Sequence, residues 1–208
     1  MKVCVILAGG DVSEKIWLHK EEEILICADC GYRHAQAQNF RPDVLIGDFD
    51  SYTDQLPDDI EIIRYPAEKD VSDTWACVQY AKEKGFDCFR IYGAFGGDRI
   101  DHSIANFQLL RKIAEENLNA VLYYKKQILT NLNAGDMEYL IPDLFSYFSV
   151  FALSEVCRGV TITGAKYPLE NAELKNNFPL GLSNEVINPA GANVYVDEGN
   201  LLLVMTEK

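Results

Sequence analysis

No apolar run in the sequence reaches the length needed to cross a bilayer as a helix. Basic residues are scarce: 19 Lys and Arg stand against 32 Asp and Glu, for a net charge of −13. A chain this acidic is unsuited to gripping nucleic-acid phosphates. It would repel a bare nucleotide unless a divalent cation came with it, and it favours the approach of a cationic substrate. Histidine is scarce too, with three residues, and none has zinc spacing to the lone CxxC at Cys27 and Cys30. The six cysteines (Cys4, Cys27, Cys30, Cys77, Cys88 and Cys157) therefore read as buried or incidental thiols in a reducing compartment. No Ser-His-Asp or Cys-His arrangement can be assembled. Neither the dinucleotide glycine fingerprint nor the Walker loop occurs. Repeats and low-complexity segments are also missing. The opening MKVCVILAGGD has too short an apolar run for a signal peptide. It reads as a buried strand, and the expectation is a cytoplasmic protein.

What is present begins with alternation. Apolar, strand-like runs at 2–8, 23–28, 43–46, 60–64, 86–92 and 120–124 are interleaved with helical spacing at 31–39, 71–84 and 103–116. Val71, Trp75 and Val78 are expected on one helix face, with Gly85 as the stop. Ile104, Phe107, Leu110 and Ile113 or Ala114 are expected along another stripe. Such alternation predicts a Rossmann-like, three-layer α/β domain whose mostly parallel sheet is covered on both faces. Beyond residue 126 the helical period fades. Short β-rich stretches at 127–131, 137–140, 147–152, 160–163, 183–187 and 192–205 are punctuated by Gly, Pro and Asn. These predict a small antiparallel β-sandwich or barrel. The expected division is 1–128 and 129–208.

Aspartates mark the ends of successive predicted strands. Asp29 follows EILICA, Asp48 and Asp50 follow DVLIG, Asp73 follows IEIIRYP, and Asp101 follows CFRIY and its glycine loop. Ligands of an open parallel sheet bind outside the carboxyl ends of its strands, so these carboxylates would gather along one edge. Crowded carboxylates repel unless a cation sits among them, and hard oxygen donors suit Mg²⁺ with phosphate oxygens as further ligands. In Asp48-Phe49-Asp50 the alternation lets both carboxylates face one side. Each also has a local explanation: Asp70 and Asp73 have the spacing of a helix cap, Asp101 could cap the next helix, and Asp50-Ser51 could form a turn.

The loop Gly93-Ala94-Phe95-Gly96-Gly97 lies between a strand and a helix, where backbone amides can form an anion site. Tight turning is the alternative use of those glycines. Arg99, just beyond it, suits bidentate phosphate binding, and Lys69 stands four residues before Asp73. Gly9 and Gly10 either admit a nucleotide or turn the chain. His102 reads as a local hydrogen-bonding residue.

The series ADCGY (28–32), RPDVLIGDFDS (41–51), PAEKDVSD (66–73) and GAFGGDRIDH (93–102), with Asn106 after it, resembles the thiamine pyrophosphokinase family in order and separation. GLSNE (181–185) resembles that family's thiamine-site stretch. The resemblance implies an N-terminal α/β catalytic domain and a C-terminal β-sandwich. It implies a homodimer whose active site is shared between subunits, and pyrophosphoryl transfer from ATP to thiamine with release of AMP. It casts Asp48, Asp50 and Asp73 as Mg²⁺ ligands, with Asp29 and Asp101 in the same acidic cluster. Lys69, Ser72, Gly96, Gly97 and Arg99 are cast as nucleotide contacts, and Ser183 and Asn184 as thiamine-side residues. Two departures stand out. Cys30 takes the place of a common Gly, and both tryptophans, Trp17 and Trp75, fall in the first half, leaving an aromatic such as Tyr195, or none, near the thiamine ring. Two rival readings are a haloacid-dehalogenase-like phosphatase using GDFDS and a non-catalytic nucleotide or thiamine sensor. The first leaves the KDxSD and GGxRxDH blocks unexplained; the second does not need a full acidic set.

Overall fold

A computed structural model describes the chain except Lys20, Ser51, Thr53, Asp54 and residues 67–70. The fold is a mixed α/β sheet with few helices plus an antiparallel β sheet. The chain forms two compact units, Met1–Leu109 with Leu122–Lys125, and Leu110–Val121 with Lys126–Lys208. Among the described residues no helix is long and apolar enough to cross a membrane.

In the first unit, β1 (Val3–Leu7), β2 (Ile24–Ala28), β3 (Val44–Gly47), β4 (Glu61–Arg64) and β5 (Cys88–Tyr92) run parallel in the order β5-β1-β2-β3-β4. The central strands VCVIL, ILICA and VLIG are almost wholly buried. Continuous apolar runs of this kind are what a sheet covered on both faces requires. Val5, Leu7, Leu25, Cys27 and Leu45 form one cluster with Tyr32 and Ala35 of α1 (Tyr32–Ala37). Each fully buried Leu or Ile contributes roughly 1.5–3 kcal/mol by leaving water. The second helix, α2 (Asp73–Glu83), packs near β1, β2 and β3. It opens where the Ser72 hydroxyl accepts from Trp75 N–H at 3.2 Å. It closes where Gly85 turns at φ +83 and Phe86 N–H returns to Ala81 O at 3.0 Å.

Its buried residues are Thr74, Ala76, Cys77, Val78 and Ala81; of the expected Val71, Trp75 and Val78, only Val78 is fully buried and Trp75 is half-buried. Val71 precedes the helix and is exposed. The next helix, α3 (Ile100–Glu115), starts three residues earlier than the expected 103. It buries Asn106, Leu109, Leu110, Ile113 and Ala114, while Ile104 is 55% exposed and Phe107 also faces outward. In α2 the small Thr74, Ala76, Cys77 and Ala81 take most of the buried face, whereas in α3 the expected Leu110, Ile113 and Ala114 are buried and only the N-terminal part of the stripe, Ile104 and Phe107, is turned out. β6 (Asn119–Tyr124) follows.

In the second unit all pairings are antiparallel. One set runs β12 (Gly181–Asn184), β9 (Phe145–Ala152), β14 (Asn200–Glu207), β7 (Gln127–Asn133); the other runs β11 (Leu169–Lys175), β10 (Val156–Thr163), β13 (Ala192–Tyr195), β8 (Tyr139–Ile141). Both contribute to one core, in which Phe148, Val150, Leu201 and Leu203 lie with Val160, Ile162, Leu174 and Val194. The expected single strand over 192–205 is two strands, broken where Asp197 N–H donates to Arg158 O at 3.1 Å and Gly199 takes φ +87. The polar LENAELK carries no apolar alternation, yet it pairs with β10 as β11.

Candidate active site

The first strand and the fifth end against each other. Ala8 N–H donates to Tyr92 O, Gly10 N–H to Gly93 O and Asp11 N–H to Phe95 O, each at 2.8 Å. A Cβ on Gly93, which has φ +69, would lie 2.3 Å from Ala8 O, so this approach requires glycine. β1 has β2 on one side and β5 on the other, so the chain's winding reverses here, the place where doubly wound sheets open a ligand crevice. Buried Asn106 of α3 donates to Ala94 O at 2.6 Å and pins the loop from behind.

Asp29 opens a short 3-10 turn after β2, at φ +47. Gly31 is the close approach in that turn, since a Cβ there would meet Leu7 O at 2.1 Å. Cys30 keeps an ordinary backbone, with its thiol 3.9 Å from Gly9 O, so cysteine is accommodated where related patterns have glycine. Gly47 ends β3 with its would-be Cβ 3.1 Å from Asp29 Cα, which brings the two acidic turns together. After it, Phe49 is 6% exposed at φ +61, beneath the Arg64 guanidinium at 5.4 Å. That conformation is unfavourable for a bulky residue, and such strain is held at functional sites by the surrounding packing. Burying Phe49 leaves Asp48 and Asp50 together at the surface, with Asp50 N–H donating to Asp48 Oδ1 at 3.0 Å.

Asp29, Asp48, Asp50 and Asp73 line one cavity of about 400 Å³, together with Gly96, Gly97, Asp98, Arg99, His102 and Asn106. Asp73 reaches it as the first residue of α2, and Ser72, expected as a nucleotide contact, is that helix's N-cap. Asp101 is not in the lining: it faces outward and holds Arg99 in a two-pronged pair, Nε to Oδ1 at 3.2 Å and Nη2 to Oδ2 at 2.5 Å. That hydrogen bond pulls the Asp101 carboxyl below its ordinary range and pushes the Arg99 guanidinium up. Sequence reasoning missed Asp98 as a lining residue and gave His102 only a local role. The signal for His102 was its spacing to Asn106, which shares its face of α3 while 101 is turned away; Asp98 lines the cavity from the loop before the helix. One loop amide expected to face an anion, Gly97 N–H, donates to Asp11 Oδ1 at 3.2 Å. Lys69 and Asp70 lie outside the described residues.

Among the described residues, no three acidic, histidine or cysteine side chains converge on one point. The carboxylates ring a cavity instead. An all-oxygen ring that leaves room for phosphate oxygens and water fits Mg²⁺, which is seldom held by a closed protein cage.

In the second unit, Ser183 has φ +60 and its N–H donates to Ser149 Oγ at 3.0 Å. Asn184 is 4% exposed and its amide is engaged internally: Oδ1 accepts from Tyr167 N–H at 3.0 Å, and Nδ2 donates to Tyr167 O at 2.7 Å. The Tyr195 hydroxyl donates to Asp197 Oδ1 at 2.9 Å.

Comparison with known proteins adds to this geometry. The family model described as "Thiamin pyrophosphokinase, catalytic domain" matches residues 15–122, and "Thiamin pyrophosphokinase, vitamin B1 binding domain" matches residues 137–201. A thiamine pyrophosphokinase of Bacillus subtilis (strain 168) is 31% identical over 212 residues, with 98% of each chain covered. The crystal structure of thiamine pyrophosphokinase from Bacillus subtilis superposes with a TM-score of 0.83 at 26% identity over 100% of both chains. That of Geobacillus thermodenitrificans superposes with 0.79 at 27% identity, over 99% of this chain and 98% of the other. Both family models describe halves of one class of enzyme, a kinase that moves pyrophosphate. The chain belongs to the thiamine pyrophosphokinase family.

Proposed function

We infer that this chain transfers the pyrophosphoryl group of ATP to the hydroxyl of thiamine, giving thiamine diphosphate and AMP. The observation that carries this reading is the gathering of Asp29, Asp48, Asp50 and Asp73 around one cavity that also holds Gly96, Gly97 and Arg99. Phosphoryl transfer demands positioning and charge neutralisation more than covalent help, and this lining supplies both. Asp48, Asp50 and Asp73 would hold Mg²⁺, with Asp29 beside them; the ion neutralises phosphate charge there. Arg99, oriented by Asp101, offsets charge on the β-phosphoryl group and the departing AMP. Lys69 and Ser72 serve the nucleotide side. The thiamine oxygen forms a bond to the β-phosphorus as the bond from that phosphorus to the AMP oxygen breaks. AMP keeps the electron pair, and the hydroxyl proton passes to a carboxylate of the cavity.

Residues 1–128 form the ATP and Mg²⁺ domain of this reading, with a Rossmann-like three-layer architecture; residues 129–208 form a β-sandwich that receives thiamine. Ser183 contacts thiamine, and Asn184 contributes by fixing the turn against Tyr167. The protein acts in the cytoplasm as a homodimer with the active site shared between subunits. Exposed Ile100, Ile104 and Phe107 on α3 support association of copies. The phosphatase reading is disfavoured because the DxD pair follows the third strand of the chain, not the first.

The test is product analysis after incubating the pure protein with ATP, Mg²⁺ and thiamine. AMP and thiamine diphosphate in equal amounts are expected. Thiamine-dependent ADP without AMP, or free phosphate alone, would sink the assignment.

A further inference from the structure

Asp11 belongs to none of the motifs that mark the reaction, yet it is built into the loop that carries Arg99. The main-chain pairing between the first-strand turn and the glycine loop ends at Asp11 N–H to Phe95 O, 2.8 Å. The next link runs the other way, from Gly97 N–H to Asp11 Oδ1 at 3.2 Å. Its other oxygen packs against Gly96, where an added Cβ would lie 2.2 Å from Asp11 Oδ2. Gly96 and Gly97 both hold left-handed backbones, φ +84 and +71. Two successive glycines give a segment that loses much conformational freedom on ordering and does not hold its own shape. The residues directly after them, Asp98 and Arg99, line the acidic cavity.

We propose that Asp11 is a positioning residue for the nucleotide half of the reaction: its carboxylate fixes the Gly96-Gly97 turn and so presets Arg99 for the polyphosphate of ATP. The proposal rests on the reading of the cavity as the ATP site. The required group is an acceptor at Oδ1, not a charge. Asparagine keeps that acceptor and alanine removes it. Asp11 is also one of the charges near Lys125, whose ammonium is raised chiefly by its hydrogen bond to Tyr124. A charge role toward Lys125 would be lost in both variants, and so is separable.

The experiment compares the parent with Asp11→Ala and Asp11→Asn by binding and hydrogen exchange, neither of which needs turnover. Calorimetry with Mg²⁺ and ATP is expected to show about fivefold weaker binding for Asp11→Ala, the size of one ordinary hydrogen bond. Thiamine affinity and melting temperature should stay at the parent's values. Amide exchange across 93–99 should quicken in Asp11→Ala alone. Asp11→Asn should match the parent within about twofold in ATP affinity, a rescue that a charge role would not give, while the unchanged thiamine affinity and melting temperature of Asp11→Ala separate the role from a merely structural one. Several results overturn the proposal: unchanged ATP binding and exchange in Asp11→Ala, equal losses in both variants, or parallel losses for ATP and thiamine with a lowered melting point. Tighter ATP binding by Asp11→Ala would also overturn it, since the carboxylate would then be competing with phosphate for Gly97 N–H. Parent that binds ATP but forms no AMP would refute the reaction and leave these comparisons to decide the role of Asp11.

Discussion

At the scale of residues, function here depends on which side chains are left facing the cavity once apolar neighbours are buried. Phe49 is the clearest case: sinking it into the core at a strained φ is what turns a DxD string into a carboxylate pair. Replacing Asp48, Asp50 or Asp73 by Asn is expected to reduce turnover by about a hundredfold or more, since charge stabilisation of the transition state is lost. Melting temperatures should hold or rise, because each change relieves carboxylate repulsion; fully active variants would reduce these residues to turns and caps. Asp48, Asp50 and Asp73 were legible because each follows a readable strand. Asp98 was not, since its place depends on the path of the glycine loop ahead of α3. Tyr92 offers a separate test. Burial pushes its phenol from the ordinary 10.0 up to about 12, while Trp17 N–H donates to its oxygen at 3.2 Å. The folded state therefore favours neutral Tyr92. Its contribution is complete below pH 10 and is lost as pH rises through about 12. In denaturation curves taken from pH 8 upward, Tyr92→Phe should be less stable than the parent at pH 8 and should lose less of its stability on approaching pH 12.

At the scale of elements, caps and buried amides hold the site's supports in place. Ser72→Ala removes the N-cap of α2 and is expected to lower stability by about 1 kcal/mol in urea melts. If Ser72 also serves ATP, the Michaelis constant for ATP will rise beyond what the parent shows at matched stability. In β7, Asn131 Oδ1 accepts from Ala120 N–H at 2.9 Å, while Nδ2 donates to Leu118 O at 2.9 Å and to Asn133 Oδ1 at 2.8 Å. Asn131→Leu leaves a buried N–H unmet and should cost about 1–3 kcal/mol in the same melts; a neutral result would mean that water replaces the amide. Strand cores such as VCVIL and ILICA announced themselves by continuous apolar character. β11 did not, because LENAELK buries only Leu174 fully, with Leu169 and Ala172 partly buried against the core, and is a strand through its ladder with β10. Helix faces were half legible: the period was evident, but in α2 small residues take most of the buried face, and in α3 the expected stripe holds from Leu110 onward while Ile104 and Phe107 face outward.

At the scale of the molecule, the homodimer reading can be tested by complementation. On the proposed reading Asp73→Asn would damage the metal side and Ser183→Ala with Asn184→Ala the thiamine side, so each homodimer should be nearly inactive. Random mixing should restore up to about a quarter of parent activity, from half the dimers each having one good site of two. A monomer by sedimentation, or verified heterodimers with no recovery, would sink the shared site. Length, acidity, the switch from helical to strand periodicity near residue 126 and the ordered aspartate motifs were all determined by sequence, because hydrophobic period and strand-end chemistry are local properties. Only tertiary structure decided that β5 lies next to β1, which sets the glycine loop against Gly9 and Gly10. It also decided that Asp101 turns outward while Asp98 and His102 turn in, and that Asn184 is consumed by Tyr167. These outcomes depend on contacts between residues far apart in the chain, whose distances and directions no local pattern encodes.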